Sequence, residues 1–465
     1  MPKSLIHQIL ITTGEPVQTE VIYCGDCQKV LPQAIPDHSI DLIYVDPPFF
    51  TSRNYEVLWG DGYELRAFED RWKGGIENYI AWMEPKMREC FRVLKPTGVM
   101  YLHCDWHADA HLRILMDQIF RESNLVNEII WVRQASHGDT KQGAKHFGRL
   151  HDVILFYAKG PDYKWKMEYR KYDDEYTEKF YRNVEPDTGR RYMLDNIAGP
   201  GGAAKGNPYY ECMGVKRYWR YSEERMKELM KEGRIVQTSK GSVPRYKRYL
   251  DEMPGMPVQD VWTDIQSIQS QSKERLGYPT QKPEALLERI IKASSDKEDI
   301  VLDPMCGCGT AIAVAHKLGR RWVGIDVSPT ACKLMAKRMR KLGVQNIKVE
   351  GLPKSLDEIR ALQPFEFQNW VCQKVFAHVS ERKIGDMGID GWMMDGRPLQ
   401  IKQSESVGRN VVDNFETAIK RVKKTKGVIV AFSFGKGTYE EVARVKNADD
   451  VEIELKTVED IMREI

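Results

Sequence analysis

Asp46 closes a run of apolar strand formers and is followed by Pro47, Pro48 and Phe49, in the stretch "LIYVDPPFF" at residues 42–50. Prolines remove backbone donors and fix the direction of the chain. The expected product is a stiff platform at a strand's carboxyl end that carries one carboxylate and one or two aromatic rings. A carboxylate so placed can accept hydrogen bonds or take up a proton. A second stretch, "VLDPMCGCGTA" at 301–311, ends a strand in Asp303 and continues through Pro304, Cys306, Gly307, Gly309 and Thr310 into a helix. Glycine there permits close approach of a ligand to the backbone. The spacing is not the dinucleotide fingerprint, and no Gly-Lys-Ser/Thr follows to make a phosphate loop. One strand later, "VGIDVS" puts Asp326 where an acidic residue can accept hydrogen bonds from ribose hydroxyls. The loop therefore suits a nucleoside ligand without a pyrophosphate, such as S-adenosylmethionine, or else is a tight β–α turn with a satisfied aspartate.

These groups need elements to hold them. Between residues 20 and 160 strand-like runs ("SIDLIYVD", "GVMYLHCD", "HDVILFYAKG") alternate with helical spacing ("IENYIAWMEPKMRECFRVL", "ADAHLRILMDQIF"). Such alternation predicts a mostly parallel sheet with helices on its faces. From about 161 to 262 the periodicity weakens, and an inserted segment with helical pieces, among them "SEERMKELMKEG", is expected. Regular order returns with the helix "PEALLERIIKASS", the strand "DIVLDP", the helix "AIAVAHKLG" and the strand "RWVGIDVS". "GLPKSLDEIRALQPFEF" reads as a linker with a leading helix, ahead of a separate α/β segment over 364–465.

The chain has 465 residues and a net charge of +3, so total charge announces no partner. Its distribution says more: residues 161–250 carry roughly six more Lys and Arg than Asp and Glu, interleaved with aromatics as in "VKRYWRYSEERMK" and "VPRYKRYL". Such a segment can track phosphates and stack on bases, or can be a solvated face over packed aromatic stems. No apolar run reaches the ~18 residues of a membrane span, and "MPKSLIHQILITTGEPVQTE" lacks the pattern of a signal peptide. Nine scattered cysteines, with one lone C-x-x-C at Cys24 and Cys27, fit a reducing cytoplasm.

"DPPF" at 46–49, "DPMCGCGT" at 303–310 and "YPTQKPEALLERII" at 278–291 together resemble the motifs of amino-methylating DNA methyltransferases. The catalytic motif comes first, a variable basic segment next and the cofactor motifs last, which resembles the permuted beta class. The Gly-Asp pair of "YCGDC" also resembles the family's lead-in to the catalytic strand. The resemblance covers residues 20–345; Met305 and Cys308 depart from it, standing where Phe and Ser are usual. It implies a doubly wound, Rossmann-like and circularly permuted α/β sheet. The catalytic half would be 1–160, the target-recognition insert 161–262 and the cofactor half 263–350. It further implies that Asp46, Pro47, Pro48 and Phe49 hold a flipped base. Asp26, Lys282, Pro283, Asp303, Pro304, Cys306, Gly307, Gly309, Thr310 and Asp326 would hold S-adenosylmethionine. Double-stranded DNA is the implied partner and a homodimer the implied assembly. "DPP" with an aromatic residue points to N6 of adenine, with N4 of cytosine as the alternative.

In the C-terminal segment, "GDMGIDGWMMDGRPLQIKQS" puts Asp390 in a glycine-rich turn and Gln400 and Lys402 on one face of a strand. This resembles the restriction-endonuclease-like fold in its Gln-x-Lys variant. By that resemblance Asp390 and Glu366 would bind Mg²⁺, and Lys402 would steady the attacking water. A scaffold kept for DNA binding alone is the competing expectation. For the whole chain, a DNA-binding regulator on degenerate enzyme folds and an RNA methyltransferase are the alternatives.

Overall fold

The computed structural model describes residues 16–50, 75–134, 145–269, 271–276, 281–379 and 388–463, together with the backbone of a two-stranded hairpin at Arg53–Leu58 and Glu64–Asp70. The residues probed for a signal peptide (1–15) and Tyr278, Pro279 and Thr280 of the third motif lie outside the described residues. Two compact units emerge. One comprises Met1–Lys166 with Asp260–Ile465, the other Met167–Gln259.

The first unit is built on β1 (Val21–Cys24), β2 (Ile40–Val45), β3 (Leu94–Cys104), β4 (Leu125–Val132), β5 (His151–Ala158), β6 (Val261–Trp262), β7 (Ile300–Asp303), β8 (Arg321–Asp326) and β9 (Lys348–Glu350). They form one sheet in the order β6-β4-β5-β3-β2-β7-β8-β1-β9. Every pairing is parallel except those of β5, which runs against both β3 and β4. The sheet is thus mixed. β5 is buried along almost its whole length, and so uniform an apolar run carries no sign of its direction.

Around the sheet lie α1 (Cys27–Ala34), α2 (Gly75–Val93), α3 (Asp109–Phe120), α4 (Glu284–Ser294), α5 (Thr310–Lys317) and α6 (Pro329–Lys341). The main core joins Ile43, Val45, Leu102, Leu155, Leu302 and Val323 of the strands to Tyr79, Met83, Met87, Leu112 and Met116 of α2 and α3. At ~25 cal/mol per Å² of apolar surface buried, this layer is the main favourable term.

Beyond β9, a short helix (Leu356–Arg360) and α7 (Pro364–Lys374) lead into a five-stranded sheet. Its strands are, in order, β10 (Ala377–Val379), β11 (Gly391–Met393), β12 (Pro398–Lys402), β13 (Lys426–Ala431) and β14 (Glu452–Thr457). Leu399, Ile401, Val428 and Val430 pack on Phe367, Trp370 and Val371 of α7. The other core contains Ile389, Ile429 and Ile453 with Val412, Phe415 and Ala418 of α8 (Arg409–Arg421).

The second unit is more β than its sequence implies. Short antiparallel pairings, such as Arg191–Asn196 with Arg245–Tyr249 and Tyr209–Cys212 with Val215–Tyr218, outnumber its helices Asp174–Phe180 and Glu223–Lys231. Its basic residues are partly used internally. Arg190 lies 3.9 Å from the Tyr249 ring centroid and is salt-bridged to Asp251, while Arg234 pairs with Glu252 and Lys247 with Glu185.

Candidate functional site: a cleft shared by two strand-end loops

Leu42 and Ile43 of β2 pair with Val301 and Leu302 of β7, so Asp46 and Asp303 leave adjacent strands at the same edge of the sheet. The ~260 residues between them in sequence vanish in space. Asp46 Oδ2 accepts a hydrogen bond from Lys282 Nζ at 2.5 Å. Its Oδ1 is buried with no hydrogen-bond partner. A buried carboxylate oxygen left unsatisfied costs about 1–3 kcal/mol or more, so this one is poised for a donor from outside the protein.

The platform around Asp46 is braced from several sides. The Tyr79 hydroxyl of α2 donates to the Pro48 carbonyl at 2.8 Å. Phe50 adopts φ +62°, uncommon for a bulky side chain, and its ring lies 5.7 Å from that of Tyr79. The Phe49 ring centroid is 4.8 Å from the Lys282 ammonium and 5.5 Å from the ring of His103. Fully buried His103 is held between the Tyr44 hydroxyl, 2.8 Å from Nδ1, and Asp152, 3.2 Å from Nε2. Burial would raise the Asp152 carboxyl, but the hydrogen bond to His103 and the nearby charges, Arg133 and Lys282 among them, bring it below the ordinary aspartate range.

On the other side, Cys306 N bonds to Ile325 O, and Asp303 Oδ1 accepts from Met305 N at 3.1 Å. Burial drives the Asp303 carboxyl well above its usual range. Gly307 and Gly309 have φ of +53° and +77°. A Cβ on Gly309 would sit 2.8 Å from Met335 Cγ, so the position needs glycine for both backbone and space. Asp326 Oδ2 accepts from Gly307 N at 2.7 Å and Oδ1 from Ser328 N at 2.8 Å. Burial raises its carboxyl to about 6 despite those two bonds. Arg338 of α6, itself buried, donates to the Cys308 carbonyl and the Thr310 hydroxyl and is salt-bridged to Glu284 of α4, bracing the loop from below.

One cleft, with an empty volume of about 1050 Å³ including its mouth, is lined by both loops. Among the sequence-predicted residues it gathers Asp26, Asp46, Pro47, Pro48, Phe49, Lys282, Asp303, Pro304, Cys306, Gly307, Thr310 and Asp326. Gly309 and Pro283 are not on its wall; they stand at the N-termini of α5 and α4. Asp26 caps α1, accepting from Gln28 N, and lies 3.7 Å from Lys86. The sequence analysis did not single out Tyr44, Trp82 or Lys86, all on the wall, nor Tyr79, His103 and Arg338 behind it. Lys86 left one sign: it falls on the apolar stripe Tyr79-Met83-Met87-Cys90 of α2, and it is buried there with its ammonium 4.0 Å from the Trp82 ring centroid.

The cleft fits the ligand inferred from its sequence. It has a glycine cradle that a Cβ would obstruct, two carboxylates at adjacent strand ends and a partnerless oxygen at one end. Cys24 and Cys27 are free thiols.

The expected Mg²⁺ site in the C-terminal segment fits less well. Asp390 Oδ2 accepts from Ile401 N at 2.7 Å, which sets it against β12 between Gln400 and half-buried Lys402. Gln400 is buried with its Oε1 unpartnered. Glu366, expected beside Asp390, is instead turned onto α6, where it accepts from the Thr330 hydroxyl at 3.3 Å. The reason is the packing of α7, whose Phe367, Trp370 and Val371 take the sheet side and leave Glu366 facing α6. Among the described residues no group of three or more His, Cys, Asp or Glu side chains could hold a metal ion. A divalent cation does not suit one carboxylate beside a neutral amide.

A family profile described as DNA methylase matches residues 40–338. The type II methyltransferase M.EcaI of Enterobacter cloacae is 31% identical over 302 residues, 64% of this chain and 64% of the relative. The DNA adenine methyltransferase YhdJ of Escherichia coli (strain K12) is 28% identical over 323 residues, 69% of this chain and 83% of the relative. The chain thus spans under two thirds of the length of M.EcaI. Among solved structures, a DNA modification methylase of Thermus thermophilus complexed with S-adenosyl-L-methionine is 18% identical, covering 72% of this chain and 98% of that one, at a TM-score of 0.38. At that score the likeness carries no argument about the site.

Proposed function

The chain belongs to the DNA methylase family, and from that premise we propose that it is a site-specific DNA methyltransferase using S-adenosylmethionine. Its target is the exocyclic amine of a flipped base, N6 of adenine. The observation that carries this reading is the buried, partnerless Asp46 Oδ1 in the cleft that also contains the Gly307 loop. An exocyclic amine is a weak nucleophile because its lone pair is delocalised into the ring. Asp46 Oδ1 accepts one of its N–H bonds and draws the nitrogen toward tetrahedral geometry, with the Pro47 carbonyl as a second acceptor. Lys282 holds the carboxylate in place through Oδ2. Phe49 stacks on the base, a contact worth about 1–3 kcal/mol, which offsets much of the few kcal/mol needed to extract it. S-adenosylmethionine, when bound, supplies a methyl group already activated on sulfonium sulfur, so the protein contributes chiefly positioning and electrostatics. Asp303, the Gly307 loop and Asp326 are the groups that would hold it.

Adenine is favoured over cytosine N4 by the aspartate opening the Asp46-Pro47-Pro48-Phe49 platform, and the name of YhdJ points the same way. The order of the loops along the chain, Asp46 before Gly307, supports the permuted class, with 161–262 as the target-recognition insert. The test is expression in a host free of DNA modification, followed by native DNA sequencing. Methylated adenines in one sequence context are expected for the wild type and none for Asp46→Ala. Methylcytosine would overturn the choice of base, and unmodified DNA from both would overturn the activity.

For the C-terminal segment we favour a DNA-binding scaffold over cleavage, because Glu366 and Asp390 do not converge. Unmethylated DNA with Mg²⁺ should stay intact with wild type and with Lys402→Ala. Cutting by the wild type alone would reverse this reading.

A further inference from the structure

The turn after β8 carries the carboxylate assigned to the cofactor, and the C-terminal segment is wired to that turn. Asp326 Oδ1 accepts from Ser328 N, and Ser328 Oγ caps α6 by accepting from Ala331 N at 3.1 Å. Thr330, in the first turn of α6, donates its hydroxyl to Glu366 Oε2 from across the interface with α7. Glu366 is 4% exposed, and its second oxygen, Oε1, has no hydrogen-bond partner. One turn further along α6, Lys333 donates to Gln373 of α7 at 2.5 Å, so the two helices are pinned at two levels. Burial, with the Asp326 charge nearby, pushes the Glu366 carboxyl up to about 7. A carboxyl buried with one long hydrogen bond opposes folding, so packing does not account for it.

We propose that Glu366 is a positioning residue of the cofactor site: by holding Thr330 it fixes the Asp326–Ser328 turn and makes α7 part of the cofactor-binding machinery. This rests on the reading of the cleft as the S-adenosylmethionine site. Glu366 touches neither substrate nor cofactor; it acts through Thr330 and the cap of α6. The C-terminal segment is then not an appendage but a support for the ligand carboxylate.

The test uses the full chain, with S-adenosylmethionine titrated by calorimetry and methyl transfer measured on unmethylated genomic DNA. Glu366→Ala should weaken cofactor binding about 5–20-fold, the worth of one buried hydrogen bond to a carboxylate. KM for the cofactor should rise in step while kcat at saturating cofactor stays within twofold. Glu366→Gln keeps an acceptor for Thr330 and should recover binding to within about threefold. Thr330→Val removes the donor from the other side and should match Glu366→Ala; it carries the test if Glu366→Ala does not fold. A folded Glu366→Ala or Thr330→Val protein with wild-type affinity would overturn the inference, as would a fall in kcat at unchanged KM. Wild type that binds no S-adenosylmethionine would instead overturn the reading of the cleft.

Discussion

Substituting Asp46 by asparagine preserves shape and should still abolish most activity, because the site has no room for an amide. In the wild type one carboxylate oxygen faces the Lys282 ammonium at 2.5 Å and the other is buried and free. An asparagine must either turn its oxygen to Lys282, aiming its –NH₂ at the incoming amine, or turn the –NH₂ to an ammonium. Either choice sets donor against donor. Losing a charged acceptor is worth about 1.5–3 kcal/mol, and an unsatisfied buried group adds about 1–3 kcal/mol. The combined effect on methyl transfer is a loss of about 10²–10⁴-fold in kcat. Asp46→Ala avoids the clash but strands Lys282, whose side chain is 10% exposed. Stranding one partner of a buried pair costs about 3–5 kcal/mol, less here because the Asp46 side chain is 18% exposed. The double variant Asp46→Ala/Lys282→Met should therefore recover part of the melting temperature without recovering activity. Single-turnover methyl transfer, calorimetry with S-adenosylmethionine and thermal melts separate these effects. Asp46→Asn with kcat within threefold of wild type would refute the assignment of Oδ1 as an acceptor for the substrate.

Three further outcomes are expected. Asp326 has its folded carboxyl raised to about 6 from 3.8, so its ionisation opposes folding by about 3 kcal/mol above that range. Stability from this group is fully present below pH ~4 and lost as pH rises through ~6, whereas hydroxyl donors from a ligand need the ionised form. Cofactor binding should therefore tighten between pH 5 and 7.5, and a flat calorimetric profile would contradict its role. Gly309→Ala puts a Cβ 2.8 Å from Met335 Cγ at a φ of +77°, and should lower stability by about 1–3 kcal/mol in denaturant melts while weakening cofactor binding. Tyr79→Phe removes the bond to the Pro48 carbonyl, about 1 kcal/mol, and should lower kcat several-fold with cofactor affinity unchanged; an unchanged kcat would show that the platform stands without it.

The two loops of the cleft were legible because each is contiguous and its residue types are tied to a local geometry: prolines after Asp46, glycines at positive φ after Asp303. The strands and helices that carry them follow from apolar runs and helical periodicity. What surrounds the loops was not legible, since it arrives from distant elements. Tyr79 and Lys86 come from α2, Arg338 from α6, and a lysine or arginine on a helix reads as solvated until the helix is packed. Glu366 shows the same limit in reverse. Its sequence neighbourhood suggested a partnership with Asp390, but the orientation of α7 is decided by Phe367, Trp370 and Val371. In the unit Met167–Gln259, the interleaved Arg and Tyr residues suggested phosphates and bases, and part of that pattern is cross-strand stacking such as Arg190 on Tyr249.

The central position of β2 has a bearing on how the protein is made. One neighbour, β3, is available about 50 residues downstream, but the other, β7, is separated from it by 259 residues, as is Ile300 N from the buried Asp41 carboxylate it donates to. At ~5–20 residues per second a ribosome needs roughly 13–50 s to deliver β7. Throughout that interval the nascent sheet shows an open, apolar strand margin at its middle, the kind of surface that recruits other chains. Yield in a host should therefore respond to synthesis temperature and chaperone supply more strongly than the stability of the finished molecule would suggest.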